Sequence, residues 1–268
     1  MKINPINIQR YNTTPSFGRN NQYTCNDNSQ LSKKQKLGIL ATSATGVGIA
    51  SAIIAKKQGF SLNPKVIFNQ NPKEWAMLKI YNKKNPQAKL MEIEEKEILM
   101  LAGGSAAGGI AGGAVFDDKK HIKSKLRETV SQLLGNVAIP VGCVSLTSRL
   151  YRKYKAPILS KVPQIDGSGK FVKGFNKILK ASPSIGLTAA SLGFGIIAGN
   201  KFSNFLNEKV FNKKVERGIK TTDFAPHVDD VGMAVTLMAD KSALSTFITR
   251  TVPAFLCVPG YEIGTHRD

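Results

Sequence analysis

Gly103-Gly104-Ser105-Ala106-Ala107-Gly108-Gly109-Ile110-Ala111-Gly112-Gly113 sits inside a run from Ile98 to Phe116 that carries no charged side chain. Coiled into a helix, this stretch presents two rows of small residues at every fourth position: Gly104, Gly108 and Gly112 in one, Ser105, Gly109 and Gly113 in the other. In water the six glycines would cost about 5–6 kcal/mol of helix stability relative to alanine. In hydrocarbon the balance reverses. Unpaired backbone amides there cost several kcal/mol each, helix is the one local way to satisfy them, and small-xxx-small rows let helix backbones touch. The stretch therefore predicts a membrane helix with a flat, glycine-zipper-like packing face.

Working outward, there are three further charge-free tracts of nineteen or twenty residues: Leu37 to Ala55, Thr129 to Ser148 and Ala181 to Asn200. A helix of about 20 residues spans a hydrocarbon core of about 30 Å. Basic residues crowd the tract edges, among them Lys33, Lys34, Lys36, Lys56, Lys57, Lys119, Lys120, Arg149, Arg152, Lys153, Lys155, Lys180 and Lys201. Cationic side chains in such positions snorkel to phosphate headgroups. The expected fold is all-α: a multi-pass membrane protein with about four spanning helices packed through Gly/Ala/Ser-rich faces, followed by amphipathic and re-entrant C-terminal helices. The first tract is rich in Gly, Ser and Thr. It inserts as a packed hairpin or, on the competing reading, is a buried helix of a soluble protein.

The net charge is +20, with Lys outnumbering Arg 30 to 8. Neither an aromatic-interleaved basic patch nor a nucleic-acid signature accompanies that charge, so nucleic acid is not expected as a partner. Anionic headgroups attract surface Lys and Arg without any motif. The expected partners are thus an anionic lipid bilayer and a second copy of the chain, and the expected location is the cytoplasmic or plasma membrane. Alternate connecting regions hold 20 and 18 basic residues, a balance that assigns no orientation. Cys25, Cys143 and Cys257 lack metal or disulfide spacing and read as free thiols.

Three regions follow. Residues 1–36 read as a disordered polar tail, 37–200 as a four-helix membrane domain, and 201–268 as amphipathic and half-buried helices. The short connector Asp117 to Glu128 predicts an antiparallel hairpin between the second and third tracts. It offers the third tract as partner for the glycine face. In the third tract Gln132 and Asn136 are polar, and Pro140 should kink the helix and free the Asn136 carbonyl. Phe171 to Lys180 reads as an interfacial helix ahead of a new start at Ser182-Pro183. Leu187 to Ile196 resembles Leu40 to Ile49, as a duplication would require. Near the C-terminus Ser242 to Tyr261 carries Arg250, which needs a partner such as Asp240 if it is to lie in lipid.

Chemistry-bearing residues are sparse. Asp166-Gly167-Ser168-Gly169-Lys170 fails as a phosphate loop, since Gln164 stands where the first Gly is required and Phe171 where the Ser or Thr is. His227 with Asp229 and Asp230, and Asp223 nearby, has metal-binding or proton-moving residue types, but the spacing reads more simply as a helix start. No catalytic, cofactor or metal set is assigned. The leading functional expectation is a structural, scaffold or assembly role through the Gly104, Gly108, Gly112, Gly109 and Gly113 faces. The first alternative is a solute channel or transporter with Asn136, Pro140, Asp240 and Arg250 as path or gate. The second is a membrane-bound hydrolase or metal enzyme centred on His227.

Overall fold

The computed structural model describes residues 31–69, 91, 93–213, 218–227 and 251–267, and among them every regular element is helical. The elements are α1 (Lys33–Lys57), α2 (Pro64–Asn69), α3 (Glu95–Phe116), α4 (Ile122–Val130), α5 (Ile139–Ser160), α6 (Lys170–Lys209) and α7 (Cys257–Thr265). A π-helical stretch, Ser131–Ala138, joins α4 to α5 without a break. Four helices are long and apolar enough to cross a membrane: α1, α3, the continuous helix through α4 and α5, and α6.

Helix α1 begins inside the segment expected to be a tail. Ser32 and Gln35 form a reciprocal capping box, with Gln35 N–H donating to the Ser32 hydroxyl and Ser32 N–H to the Gln35 side chain. That cap satisfies two otherwise orphaned donors and fixes the start at Lys33. The residues before Leu31 lie outside the described part of the chain. At the other end Lys56 and Lys57 occupy the last turn, where cations complement the helix dipole.

The expected start at Ser182-Pro183 is overturned, because α6 runs through Pro183 for 40 residues and absorbs the amphipathic stretch from Phe171. Proline removes the donor to the Leu179 carbonyl four residues back. The Ser182 hydroxyl takes that place, donating to Leu179 O at 2.8 Å. A side chain one residue away thus keeps the helix continuous. The bend of α5 falls at Tyr154, three residues before Pro157, and not at Pro140.

α1 and α3 pack antiparallel, with Gly46 opposite Gly104 and Thr42 opposite Gly108. The π-helical stretch and α5 also pack antiparallel to α6, with Gly135 opposite Gly199 and Pro140 opposite Gly195. α7 lies parallel to α3, with Gly260 against Ser105 and Gly109. The apolar core gathers Ile54 of α1, Leu101 and Ala102 of α3, Val137 of the π-helical stretch, and Val252 and Leu256 from just before α7. The sequence likeness of Leu40–Ile49 to Leu187–Ile196 does not extend to packing roles. Gly46 lies in a seam while its counterpart Gly193 faces open space, and for Gly48 and Gly195 the roles are exchanged.

Candidate functional site

The glycine rows of α3 are both occupied within the chain. A Cβ added to Gly104 would fall 2.6 Å from the Gly46 carbonyl oxygen and 2.9 Å from the Ala50 Cβ. In the same row Gly108 would meet the Thr42 carbonyl, and Gly112 the Thr42 side chain and, at 3.0 Å, the Ile39 Cα. The second row faces elsewhere: Gly109 abuts the Gly260 carbonyl, and Gly113 meets the Lys125 side chain at 2.6 Å. Ser105 adds a directed contact, accepting the Gly260 N–H at 3.0 Å. The flat faces thus belong to α1 and α7. The third tract, which the Asp117–Glu128 connector pointed to, does not cover them, because most of that connector is itself helical and continues into α4 and α5.

A set of polar side chains converges between the third long helix, the Thr221–His227 turn and α7. Glu128, Gln132 and Asn136 follow one another at four-residue spacing, and all three are buried. Asn136 Nδ2 donates to Gln132 Oε1 at 2.9 Å and to Asp223 Oδ1 at 2.5 Å. Gln132 Nε2 donates to Glu128 Oε1 at 2.8 Å and to Glu262 Oε2 at 2.6 Å. The Thr222 hydroxyl holds the other Glu262 oxygen at 2.6 Å. Asp223 is fixed in turn by the Lys220 N–H at 2.8 Å. Glu128 stands on α4 just before the charge-free tract, and the other two carboxylates are brought in from far away in sequence, Asp223 by the 3-10 turn Thr221–His227 and Glu262 by α7.

Pro140 explains why His227 is there. The carbonyl that this proline leaves without its helical donor is that of Asn136, and His227 Nε2 lies 2.8 Å from it. Nε2 is therefore the protonated nitrogen in this arrangement. Burial depresses the His227 pKa to about 4, although the Asn136 carbonyl and the Asp223 charge both pull it upward. The imidazole is neutral at pH 7, and its Nε2 is committed to a backbone group. Asp229, Asp230, Asp240 and Arg250 lie outside the described residues.

At the end of α3 a third cluster joins the chain's C-terminal end to the bundle. Lys125 is fully buried, and its ammonium donates to Asp117 Oδ2 at 2.7 Å, Gly264 O at 2.7 Å and His266 O at 2.9 Å. Arg267 grips both oxygens of Asp117, through Nε to Oδ2 at 3.1 Å and through a closer contact to Oδ1. Burial alone would raise the Asp117 pKa, but the hydrogen bonds from Arg267 and Lys125 outweigh it and bring the carboxyl down to about 2. Asp117, Asp118 and His121 place ligand-type atoms within 4.8 Å of one another. Two cations already hold Asp117, so this geometry favours ion pairing over a metal ion.

No protein-family model, curated protein or solved structure matches the chain. Sequence reading singled out Asn136, Pro140 and His227 separately, and the fold brings them together. It missed Glu262 and Lys125. The i, i+4, i+8 spacing of Glu128, Gln132 and Asn136 was the available signal for a polar stripe, but its partners come from some 90 to 130 residues away.

Proposed function

We propose that this chain is a multi-pass integral membrane protein whose role is structural: a rigid, internally packed helical module set in an anionic bilayer. The polarity of the bundle carries this reading. Leu37, Ile49, Val115, Leu146, Phe194 and Ile197 are exposed on the outside of the four long helices, while Ser43, Ser105, Gln132, Asn136 and Ser203 are buried between them. A soluble bundle has the opposite arrangement, and apolar surface of this extent marks a lipid or partner contact. Because α1 and α7 cover both glycine rows, assembly with other proteins or a second copy would use the outer faces of the helices. The location is a cellular membrane, with the cytoplasmic or plasma membrane as its type.

Alkaline carbonate extraction tests the membrane assignment. The protein is expected to stay with the lipid pellet, and release into the supernatant would sink it.

A second reading, a proton or solute path, is favoured by one observation: the hydrogen-bonded string from Glu128 through Gln132 and Asn136 to Asp223, which lies beside the core of the bundle. Chains of ionisable residues inside membrane helices relay protons, and here Glu128 and Asp223 stand at the two ends with two amides between them. Here each member is already tied to a neighbour, which suits a static brace at least as well. Proton flux into liposomes containing the protein, unchanged by Asn136→Ala, would leave the structural reading alone. The hydrolase reading gains nothing from the geometry, since His227 Nε2 is held by the Asn136 carbonyl and the residue is 1% exposed.

A further inference from the structure

The ends of three charge-free tracts meet around one cavity of about 490 Å³, where α3 begins, α5 leaves its tract at Ser148 and α6 enters its own near Ser184. The lining changes character along the cavity. Buried Ile98, Val141 and Val144 form the apolar part, which exposed Leu187 extends, and exposed Arg149, Arg152 and Lys155 form the cationic part together with Tyr151.

Glu94 and Glu95 also border the cavity. Glu95 lines it beside Ser145, Arg149 and Arg152. The three cations outnumber the two carboxylates, and none of the three forms an ion pair with a side chain among the described residues. They are exposed at the mouth, where long basic side chains reach headgroup level.

We propose that this cavity is a binding site for one anionic phospholipid. Arg149 and Arg152 take the phosphate through their planar forks, Lys155 adds a point charge, and an acyl chain lies along Val141, Val144 and Leu187. Arginine suits the task because its paired N–H donors match two phosphate oxygens at once. The half-apolar, half-cationic lining is what selects a lipid over a free phosphate ion. Basic pockets between membrane helices are established headgroup sites in physical terms, each nearby cation contributing attraction of the order that a surface lysine does.

This inference rests on the membrane reading, and its test separates the two. Full-length protein is reconstituted in phosphatidylcholine vesicles doped with phosphatidylglycerol, and lipid retained after transfer to detergent is counted by native mass spectrometry. The intact protein should retain one phosphatidylglycerol in preference to phosphatidylcholine. Arg149→Gln with Arg152→Gln should weaken that retention by about tenfold or more, while Lys33→Gln with Lys34→Gln, which removes the same charge at the far end of α1, should leave it unchanged. Leu187→Trp fills the cavity without altering charge and should also abolish retention, with helical content by circular dichroism showing that each variant is folded. Equal retention by the double arginine variant overturns the site, as does displacement of the lipid by inorganic phosphate alone. Failure of the protein to enter the vesicles at all would instead overturn the membrane reading.

Discussion

α3 carries six glycines and stays α-helical from Glu95 to Phe116, meeting α1 and α7 backbone to backbone. The helix through α4 and α5 has the same charge-free length but changes to a π-helix at Ser131–Ala138 and passes the Asn136 carbonyl to His227. One helix is completed by the absence of side chains, the other by side chains supplied from elsewhere in the chain. Length and charge alone therefore describe two different physical solutions. In the first, close approach gives dispersion contact along a flat face. In the second, a proline and two amides create needs that only distant residues can meet.

The largest expected effect breaks the first solution. Gly109→Leu drives a side chain into the Gly260 carbonyl, a backbone atom with no rotamer to move, and should separate α7 from α3. The expected cost is about 3 kcal/mol or more, read as loss of the folded fraction in denaturant titration of the detergent-solubilised protein. Gly48→Ala is the contrast, since nothing lies within 4 Å of that position. It should be silent or slightly stabilising.

Asp117→Asn comes next. It removes the counter-charge from buried Lys125 and releases Arg267, for an expected loss of about 3–5 kcal/mol. A proteolysis assay of the C-terminal end should then show cleavage near His266 at a lower denaturant concentration than in the intact protein. The polar side responds less. His227→Ala strands the Asn136 carbonyl in a buried setting and should cost about 1–3 kcal/mol. Of the substitutions that remove a hydrogen bond, Ser182→Ala should cost least, about 0.5–1.5 kcal/mol, by returning the Leu179 carbonyl to its unpaired state.

Acid separates the two regions without mutation. His227 is neutral in the fold because its pKa falls from 6.5 to about 4, so its contribution is complete above pH 6.5 and is lost as pH drops through about 4. Asp117 falls from 3.8 to about 2, so its contribution holds above pH 3.8 and disappears only as pH drops through about 2. A pH titration of stability should show the polar side loosening first. In His227→Ala the upper step should vanish while the lower one stays.

The four long helices were legible because a missing charge over nineteen or twenty residues is a local property of the chain. So was the close approach at Gly104 and Gly109, since a face without side chains has few other uses. The identity of the partner was not legible. The connector from Asp117 to Glu128 looked like a loop because it is polar, but its Lys125 is polar in order to reach Gly264 and His266, which lie far away in sequence. Pro183 looked like a helix start for a related reason: the rescue by the Ser182 hydroxyl depends on a rotamer that composition does not reveal. The freed carbonyl of Asn136 was legible from Pro140, whereas its donor, His227, is 91 residues away.

Hydrogen exchange of the protein in phospholipid vesicles, resolved over the peptide from Ile98 to Phe116, tests the central claim most directly. A glycine-rich helix sealed in lipid between α1 and α7 should keep its amides protected for hours, at least as long as those of α1. Exchange of Gly103 to Gly113 within the first seconds, with α1 still protected, would show a flexible loop in water and contradict the account.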